Sequence, residues 1–149
     1  MATTASDRTL PDANILVYAT LKTSPFHAAA TAKLAVAATA GEVWTSRQVL
    51  REYLAAMTRP GVASPMPTLQ DVLSNVRGFG RKFRVAEDDA GVTAELLTLL
   101  AAVTCGGKQV HDANIVATMR TYGIPNLLTH NVKDFNRFAH LVTVLPLVP

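Results

Sequence analysis

Short apolar runs alternate along the chain with longer stretches in which apolar residues recur every three or four positions. Five runs have the length of buried strands: Thr9–Asp12, Glu42–Thr45, Phe83–Ala86, Asn126–Thr129 and Leu141–Leu145. Pro11 weakens the first of them, and we expect it at a sheet edge or as the last residue of its strand. Strands that alternate with helices predict a mostly parallel sheet covered on both faces, in an α/β fold.

The stretches between these runs have helical periodicity and recognisable ends. The helix after the second run carries the apolar stripe Val49, Leu50, Tyr53, Leu54 and Met57. We expect Thr45 or Ser46 to cap it, with Gln48 completing a capping box. The predicted helices are Asn14–Leu21, Pro25–Ala40 ended by Gly41, this helix to Met57, Thr68–Arg77 ended by Gly78–Gly80, Asp88 or Asp89 to Val103, and about three turns from Val110 to Tyr122.

Composition limits the class of protein. Of 149 residues, 49% are hydrophobic and 17% charged, which is typical of a globular chain that buries a core. The proline-rich stretch Arg59–Pro67 is too short to separate domains, so we expect one domain over residues 1–149. The single cysteine, Cys105, excludes an internal disulfide and a cysteine zinc site. The start of the chain lacks the apolar core of a signal peptide, and no apolar run could span a bilayer, so we expect a cytoplasmic protein.

The chain is mildly basic, with 14 Lys and Arg against 11 Asp and Glu. A net charge of +3 suits a polyanionic partner but is also common among proteins that have none. The basic residues cluster at 77–84 and at 47–59. A solvated surface explains each cluster about as well as nucleic acid does, and both interpretations are open.

Four acidic residues are placed where packing and solubility do not explain them. Asp12 follows the first strand, Glu52 lies within the apolar stripe of a helix, Asp112 is in the first turn of another, and Asp134 follows the fourth strand. A helix dipole would by itself explain Asp112, and a surface contact would explain Glu52. Together, however, right-handed crossovers of a parallel sheet should bring all four to one edge.

Such a cluster needs a cation. Two carboxylates about 4 Å apart repel by roughly 4 kcal/mol at an effective dielectric near 20. Oxygen ligands without cysteine indicate Mg²⁺ or Mn²⁺, and a hard cation can activate water and polarise a phosphoryl oxygen. The chain has no serine-nucleophile elbow, phosphate-binding glycine loop or zinc-protease motif. The four histidines lack metal-ligand spacing. His111, next to Asp112, and His130, next to Asn131, are candidates to line a cleft and touch phosphate, but ordinary polar residues are the favoured interpretation of both.

Four segments together resemble the PIN-domain ribonucleases, and within them the VapC toxins of bacterial type II toxin–antitoxin pairs. They cover nearly the whole chain in the order and spacing of that family. The segments are Pro11–Tyr18, Thr45–Tyr53, Val110–Ala117 and Leu128–Phe135.

The resemblance implies a three-layer α/β/α PIN-like domain and a Mg²⁺- or Mn²⁺-dependent endoribonuclease. It also implies a homodimer that acts on RNA and is inhibited by a small antitoxin protein. By the family's pattern Asp12 and Asp112 are the main metal ligands, and Glu52 is a further acid on the metal or its water. Asn14, Ser46 and Thr129 support the site in that pattern, and the weaker candidates for contact with RNA are Arg47, Arg51, Lys108 and His111.

The chain departs from the pattern at the fourth segment. Many relatives have an acid two residues after the threonine, where this chain has Asn131. Asp134 either takes over that role or only caps a short helix that follows. Two other functions are also open: a non-catalytic module whose acidic cleft docks a basic partner, and a nuclease of RNA processing.

Overall fold

A five-stranded parallel sheet organises residues 4–149, which are the residues described by this computed structural model. Its strand order is β3-β2-β1-β4-β5, so the first strand along the chain is central. All four neighbouring pairs are parallel, as expected from the alternation of strands and helices. The strands are β1 Arg8–Pro11, β2 Glu42–Ser46, β3 Arg84–Ala86, β4 Asn126–Thr129 and β5 Thr143–Pro146.

Seven helices connect the strands within the described residues. They are α1 Ala13–Thr20, α2 His27–Ala40, α3 Arg47–Met57, α4 Leu69–Lys82, α5 Ala90–Ala102, α6 Gln109–Tyr122 and α7 Val132–Phe135. None of these helices has the length and apolar character that crossing a bilayer requires.

Hydrophobic residues pack on both faces of the sheet. Because successive side chains of a strand point to opposite faces, Leu127 and Leu128 of β4 enter different clusters. Leu127 lies in the larger cluster, with residues of α3, α5 and α6, whereas Leu128 packs with Ile15 and Ala30 from α1 and α2. Helices therefore cover both faces, which confirms the expected α/β/α layers.

Pro11 sits at the end of the central strand and not at a sheet edge. It is the last residue of β1, aligned with Leu128 of β4. The backbone N–H of the next residue, Asp12, donates to the carbonyl of Leu128 at 2.8 Å. The chain therefore resumes hydrogen bonding to β4 at the residue where β1 gives way to α1.

Two predicted helix boundaries are wrong. Gly78 and Gly80 do not end a helix at Arg77, because α4 continues to Lys82. The half-buried Val76 and Phe79 pack against the core along this helix, and that packing outweighs the low helical propensity of glycine. Pro25 also does not open α2, which begins at His27 after Phe26.

The capping box predicted for α3 is wrong as well. Ser46 alone caps this helix, its hydroxyl accepting from the backbone N–H of Val49 at 3.1 Å. Gln48 turns away from the cap and bonds across to another helix. Its side chain is buried. Its contacts lie at the carboxyl ends of the strands, beside the four acids Asp12, Glu52, Asp112 and Asp134, a region called the acidic edge below.

Candidate active site

Asp12 stands at the carboxyl end of the central strand and caps α1. Its Oδ1 accepts from the backbone N–H of Ala13 at 2.7 Å, and its Oδ2 accepts from the Thr129 hydroxyl at 3.0 Å. Thr129 ends β4, the neighbour of β1, so the parallel pairing of these strands brings the two side chains together. Asp12 is only 6% exposed.

The position of Asp12 makes its charged form unfavourable. The pKa of Asp12 is raised to about 6, chiefly by burial and less by the charges of Glu52 and Asp134, while the hydrogen bonds from Thr129 and Ala13 oppose the increase. A pKa of about 6 still leaves the carboxylate largely ionised at neutral pH. A buried anion therefore stands at the end of β1 close to other anions.

Asp112 lies in the first turn of α6, as predicted, and faces the same group of charges. Its pKa is raised to about 6, chiefly by burial and then by the charges of Asp134, Asp12 and Glu52. The charge of Arg137 lowers it, but less than these effects raise it. Asp112 is more exposed than Asp12, so it is the more accessible of the two carboxylates.

Glu52 is held in place by a residue that the sequence had not indicated as part of the site. The Gln48 Nε2 donates to Glu52 Oε1 at 2.9 Å and to the backbone carbonyl of His111 at 2.8 Å. Asn114 Nδ2 in turn donates to Gln48 Oε1 at 2.7 Å. This chain of bonds ties α3 to α6 and fixes Glu52 relative to Asp112. The i,i+4 spacing of Gln48 and Glu52 was the only signal in the sequence.

In the fourth segment, Asp134 is the residue whose charge acts on the acidic edge. Asn131, which is neutral, contributes through its backbone. The backbone N–H of Asn131 donates to the Thr129 hydroxyl at 3.0 Å, and its carbonyl accepts from the N–H of Asp134 at 3.1 Å. Asn131 is the N-cap of the short helix α7 and Asp134 lies in its first turn, so the alternative that Asp134 caps this helix is wrong. Its charge raises the pKa of both Asp12 and Asp112.

The four predicted acids thus lie within electrostatic reach of one another at one edge of the sheet. Among residues 4–149, however, no three His, Cys, Asp or Glu side chains already form a group that could hold a metal ion. The donor types still fit a hard divalent cation, since they are oxygen atoms of carboxylates. A cation held there would lower the pKa of Asp12 and Asp112, which burial and the neighbouring negative charges raise.

The predicted RNA contacts divide into paired and unpaired side chains. Arg47 donates to both carboxylate oxygens of Glu87, at 3.0 and 2.7 Å, and Arg51 lies 3.7 Å from Asp88. Lys108 and His111 are exposed at the start of α6, beside Asp112. Arg47 and Arg51 would have to break their carboxylate contacts before they could bind a phosphate. For Lys108 and His111, no salt bridge is found among residues 4–149.

An aromatic cluster adjoins the acidic edge. The ring of Phe26 lies 5.1 Å from that of Tyr18 and 4.4 Å from that of His130, centroid to centroid. Burial raises the pKa of the Tyr18 phenol, and the charge of Asp12 raises it further. Tyr18 is therefore close enough to Asp12 for the negative charge of that residue to act on its phenol.

Comparisons with known proteins agree with this architecture. The model of the PIN domain family matches residues 9–141. Ribonuclease VapC24 of Mycobacterium tuberculosis (strain CDC 1551 / Oshkosh) is 30% identical over 131 residues, covering 86% of this chain and 89% of the relative. Ribonuclease VapC48 of the same strain is 29% identical over 130 residues, covering 85% and 89%.

Solved structures show the same fold at lower identity. FitAcB from Neisseria gonorrhoeae superposes with a TM-score of 0.68 at 18% identity, covering 93% of this chain and 97% of that one. VapBC2 from Rickettsia felis, bound to a DNA fragment from its promoter, gives 0.67 at 20% identity, covering 93% and 98%. With the family model spanning all four acidic residues, the chain belongs to the PIN domain family.

Proposed function

We propose that this protein is a metal-dependent endoribonuclease that acts as the toxin of a type II toxin–antitoxin pair. The observation that carries the proposal is the gathering of four acids at the carboxyl ends of the strands, where burial and the charges of Glu52 and Asp134 raise the pKa of both Asp12 and Asp112. Anions kept together in this way oppose folding, so a ligand of positive charge has to explain them. The relatives named ribonucleases support RNA as the substrate.

Each acid has a distinct role in this proposal. Asp12 and Asp112, whose pKa values burial and the other acids raise, would hold Mg²⁺ or Mn²⁺, with Asp134 as a further ligand. A bound divalent ion supplies positive charge that polarises a phosphoryl oxygen and makes a water molecule more acidic. Glu52, positioned by Gln48, accepts a proton from the attacking water. Thr129 holds Asp12 in its orientation.

The phosphodiester is placed by groups around these acids. Lys108 and His111 flank Asp112 and can donate to phosphate oxygens. Water would attack phosphorus in line with the leaving ribose oxygen, and Asp12 and Asp112 would hold the cation that neutralises the developing charge. Asn131 contributes through its backbone N–H, which keeps the Thr129 hydroxyl turned toward Asp12.

Calorimetric titration of Mn²⁺ tests the proposal together with RNA cleavage. We expect the wild type to bind Mn²⁺ and to cleave a mixture of structured RNAs only when metal is present. Asp112→Asn should lose both properties, whereas Asp71→Asn, an exposed acid on α4, should keep them. A wild type that folds but binds no metal would contradict the proposal and favour a module whose acidic edge docks a basic partner.

The partners follow from the same edge. We propose that a small antitoxin protein inhibits the enzyme by presenting basic side chains to the carboxylates, and that the protein forms a homodimer in the cytoplasm. Metal and antitoxin would then compete for Asp12 and Asp112. Antitoxin affinity that does not change with Mn²⁺ concentration would contradict this competition, and sedimentation equilibrium would establish the dimer.

A further inference from the structure

A groove with a volume of about 310 Å³ begins at Asn14, two residues after Asp12, and its lining contains none of the four acids. It runs along α1 from Asn14 past Tyr18 to Leu21, between the α1–α2 loop and the end of α3. The rise from Asn14 to Leu21 is about 10 Å. The volume is near the lower end of the range for small-ligand pockets, about 300–1,000 Å³.

The lining of this groove differs in charge from the acidic edge. Its residues include one cation, Arg59, and neither Asp nor Glu. Among residues 4–149, Arg59 makes no salt bridge, and its side chain is exposed. A turn places it, since the N–H of Val62 donates to the Arg59 carbonyl at 3.2 Å. The groove therefore carries a guanidinium without a salt-bridge partner among the described residues, and its lining extends along α1 to Asn14, two residues after Asp12.

The lining of the groove also includes an aromatic ring and residues that carry hydroxyl groups. Tyr18 lines the groove and is supported by Phe26 and His130, whose ring centroids lie 5.1 and 5.8 Å from its own. Thr23 and Ser24 add hydroxyls at the rim. A supported aromatic ring, hydroxyls and an arginine are the groups that bind the base, ribose and phosphate of a single-stranded nucleotide.

We propose that this groove binds the nucleotide next to the scissile phosphate of single-stranded RNA, with Arg59 on its phosphate and Tyr18 against its base. The inference rests on the proposed ribonuclease function and extends it to a second point of contact with the substrate. It predicts that the enzyme recognises an unpaired segment, because a base in a duplex cannot reach the Tyr18 ring. It also makes Tyr18 a residue that influences which base is accepted.

Binding of a short fluorescent single-stranded RNA measures this contact separately from cleavage. The titrations use the full chain carrying Asp112→Asn, which prevents cleavage in the proposed mechanism. We expect Arg59→Ala to weaken binding about fivefold and to reduce the slope of log affinity against log salt by about 0.7, the value for one phosphate on a single strand. Arg77→Ala, an exposed arginine on α4 outside the groove, is the matched control and should change neither.

Substitution of Tyr18 separates stacking from charge. Tyr18→Leu should weaken binding about tenfold without a change in the salt slope, whereas Tyr18→Phe should keep the affinity because it keeps the ring. Equal affinity and slope for the Arg59→Ala and Arg77→Ala chains would overturn the inference.

The wild-type chain separates the two hypotheses. If it cleaves RNA while the groove variants bind RNA as the control does, the ribonuclease function stands and the groove is a surface for a protein partner. If the wild type neither binds nor cleaves single-stranded RNA, both the function and the inference are wrong.

Discussion

At the scale of single residues, Thr129 connects the fold to the proposed chemistry. It is fully buried, donates to Asp12 Oδ2 at 3.0 Å and accepts from the N–H of Asn131 at 3.0 Å. Its hydroxyl lowers the pKa of Asp12 against the larger effect of burial. One side chain thus stabilises the ionised form of Asp12 and holds the start of the β4–α7 turn.

Replacing Thr129 by valine should raise the pKa of Asp12 above its value of about 6. The acidic limb of the pH–rate profile for RNA cleavage should then move to higher pH, and activity at neutral pH should fall. The unsatisfied Asn131 amide should reduce the free energy of unfolding by about 1–2 kcal/mol. Thr129→Ser keeps the hydroxyl, so its profile should stay at the wild-type position; an unshifted profile for valine would contradict this role.

Asp112 should weaken the metal-free fold as the pH rises. Its pKa is about 6 in the folded chain and near its ordinary value of 3.8 when unfolded. Between these values the folded state binds more protons, so stability is highest below about pH 4 and declines as the pH passes 6. In metal-free buffer at pH 7, Asp112→Asn should therefore raise the melting temperature.

The gain from Asp112→Asn should be under about 1 kcal/mol, because the side chain is half exposed and solvent screens its charge. At pH 4 the variant and the wild type should melt together, since the carboxyl of the folded wild type is then already protonated. Melting curves at both pH values in EDTA provide the measurement. A variant that is less stable at pH 7 would show that Asp112 supports the fold instead of opposing it.

The residue scale also shows which parts of the site a sequence can indicate. Asp12, Glu52, Asp112 and Asp134 were recognisable because each carboxylate was out of place in a local pattern, and the structure brings these four near one another. Gln48 could not be recognised as part of the site, because its partners His111 and Asn114 lie more than sixty residues away in the sequence. A buried amide shows its partners only when the helices are packed.

At the scale of elements, α4 shows how packing extends a helix through two glycines. Apart from the adjoining residues and the backbone of α4 itself, no atom of the described residues lies within 4 Å of the position that a Cβ would take at Gly78 or Gly80. Neither position therefore needs glycine for space, and both retain its entropic disadvantage. The helix continues because its apolar side packs on the core.

Gly80→Ala should stabilise the protein by about 0.5–1 kcal/mol, which is the difference in helical propensity between the two residues. Its melting temperature should rise by a few degrees. Gly41→Ala is the contrasting variant, because its Cβ would overlap the carbonyl oxygen and Cβ of Asp7, and it should be clearly destabilised. Thermal unfolding of the two variants measures this contrast, and a loss of stability for Gly80→Ala would contradict the account of α4.

Element types were predictable where a run had a single period and a clear end. Asn126–Thr129 is a strand with the predicted bounds, and Gly41 ends α2 as expected. The errors fall where a local signal met a tertiary contact. Packing of Phe79 and Val76 against the core keeps α4 helical through its two glycines. Gln48 does not form the predicted capping box, because its side chain bonds to residues of α6 instead.

At the scale of the whole molecule, the parallel sheet collects charge at one edge. Because all strands run the same way, Asp12 after β1 and Asp134 after β4 meet although more than a hundred residues separate them. The alternation of strands and helices was sufficient to predict this gathering. It could not give distances between the carboxylates, since those depend on how α6 packs beside α3.

The whole molecule should gain stability from a divalent ion. At a free Mn²⁺ concentration of about 100 times the dissociation constant, the free energy of unfolding at pH 7 should rise by about 2.7 kcal/mol. The corresponding increase in melting temperature should disappear in Asp112→Asn and shrink at pH 5, where protons compete for the carboxylates. An equal increase in the variant would place the ion elsewhere.

At the amino ends of the strands, opposite the acidic edge, ion pairs surround the only tryptophan of the chain. Glu42 binds Arg8 at 2.9 Å and Arg84 at 2.8 Å, and both guanidinium groups lie about 6 Å from the centre of the Trp44 ring. Trp44 is half-buried and tied to three strands, while the metal and RNA would bind at the other edge. Its intrinsic fluorescence should therefore report global unfolding with little response to ligand, which gives every variant an internal optical probe of folding without a label.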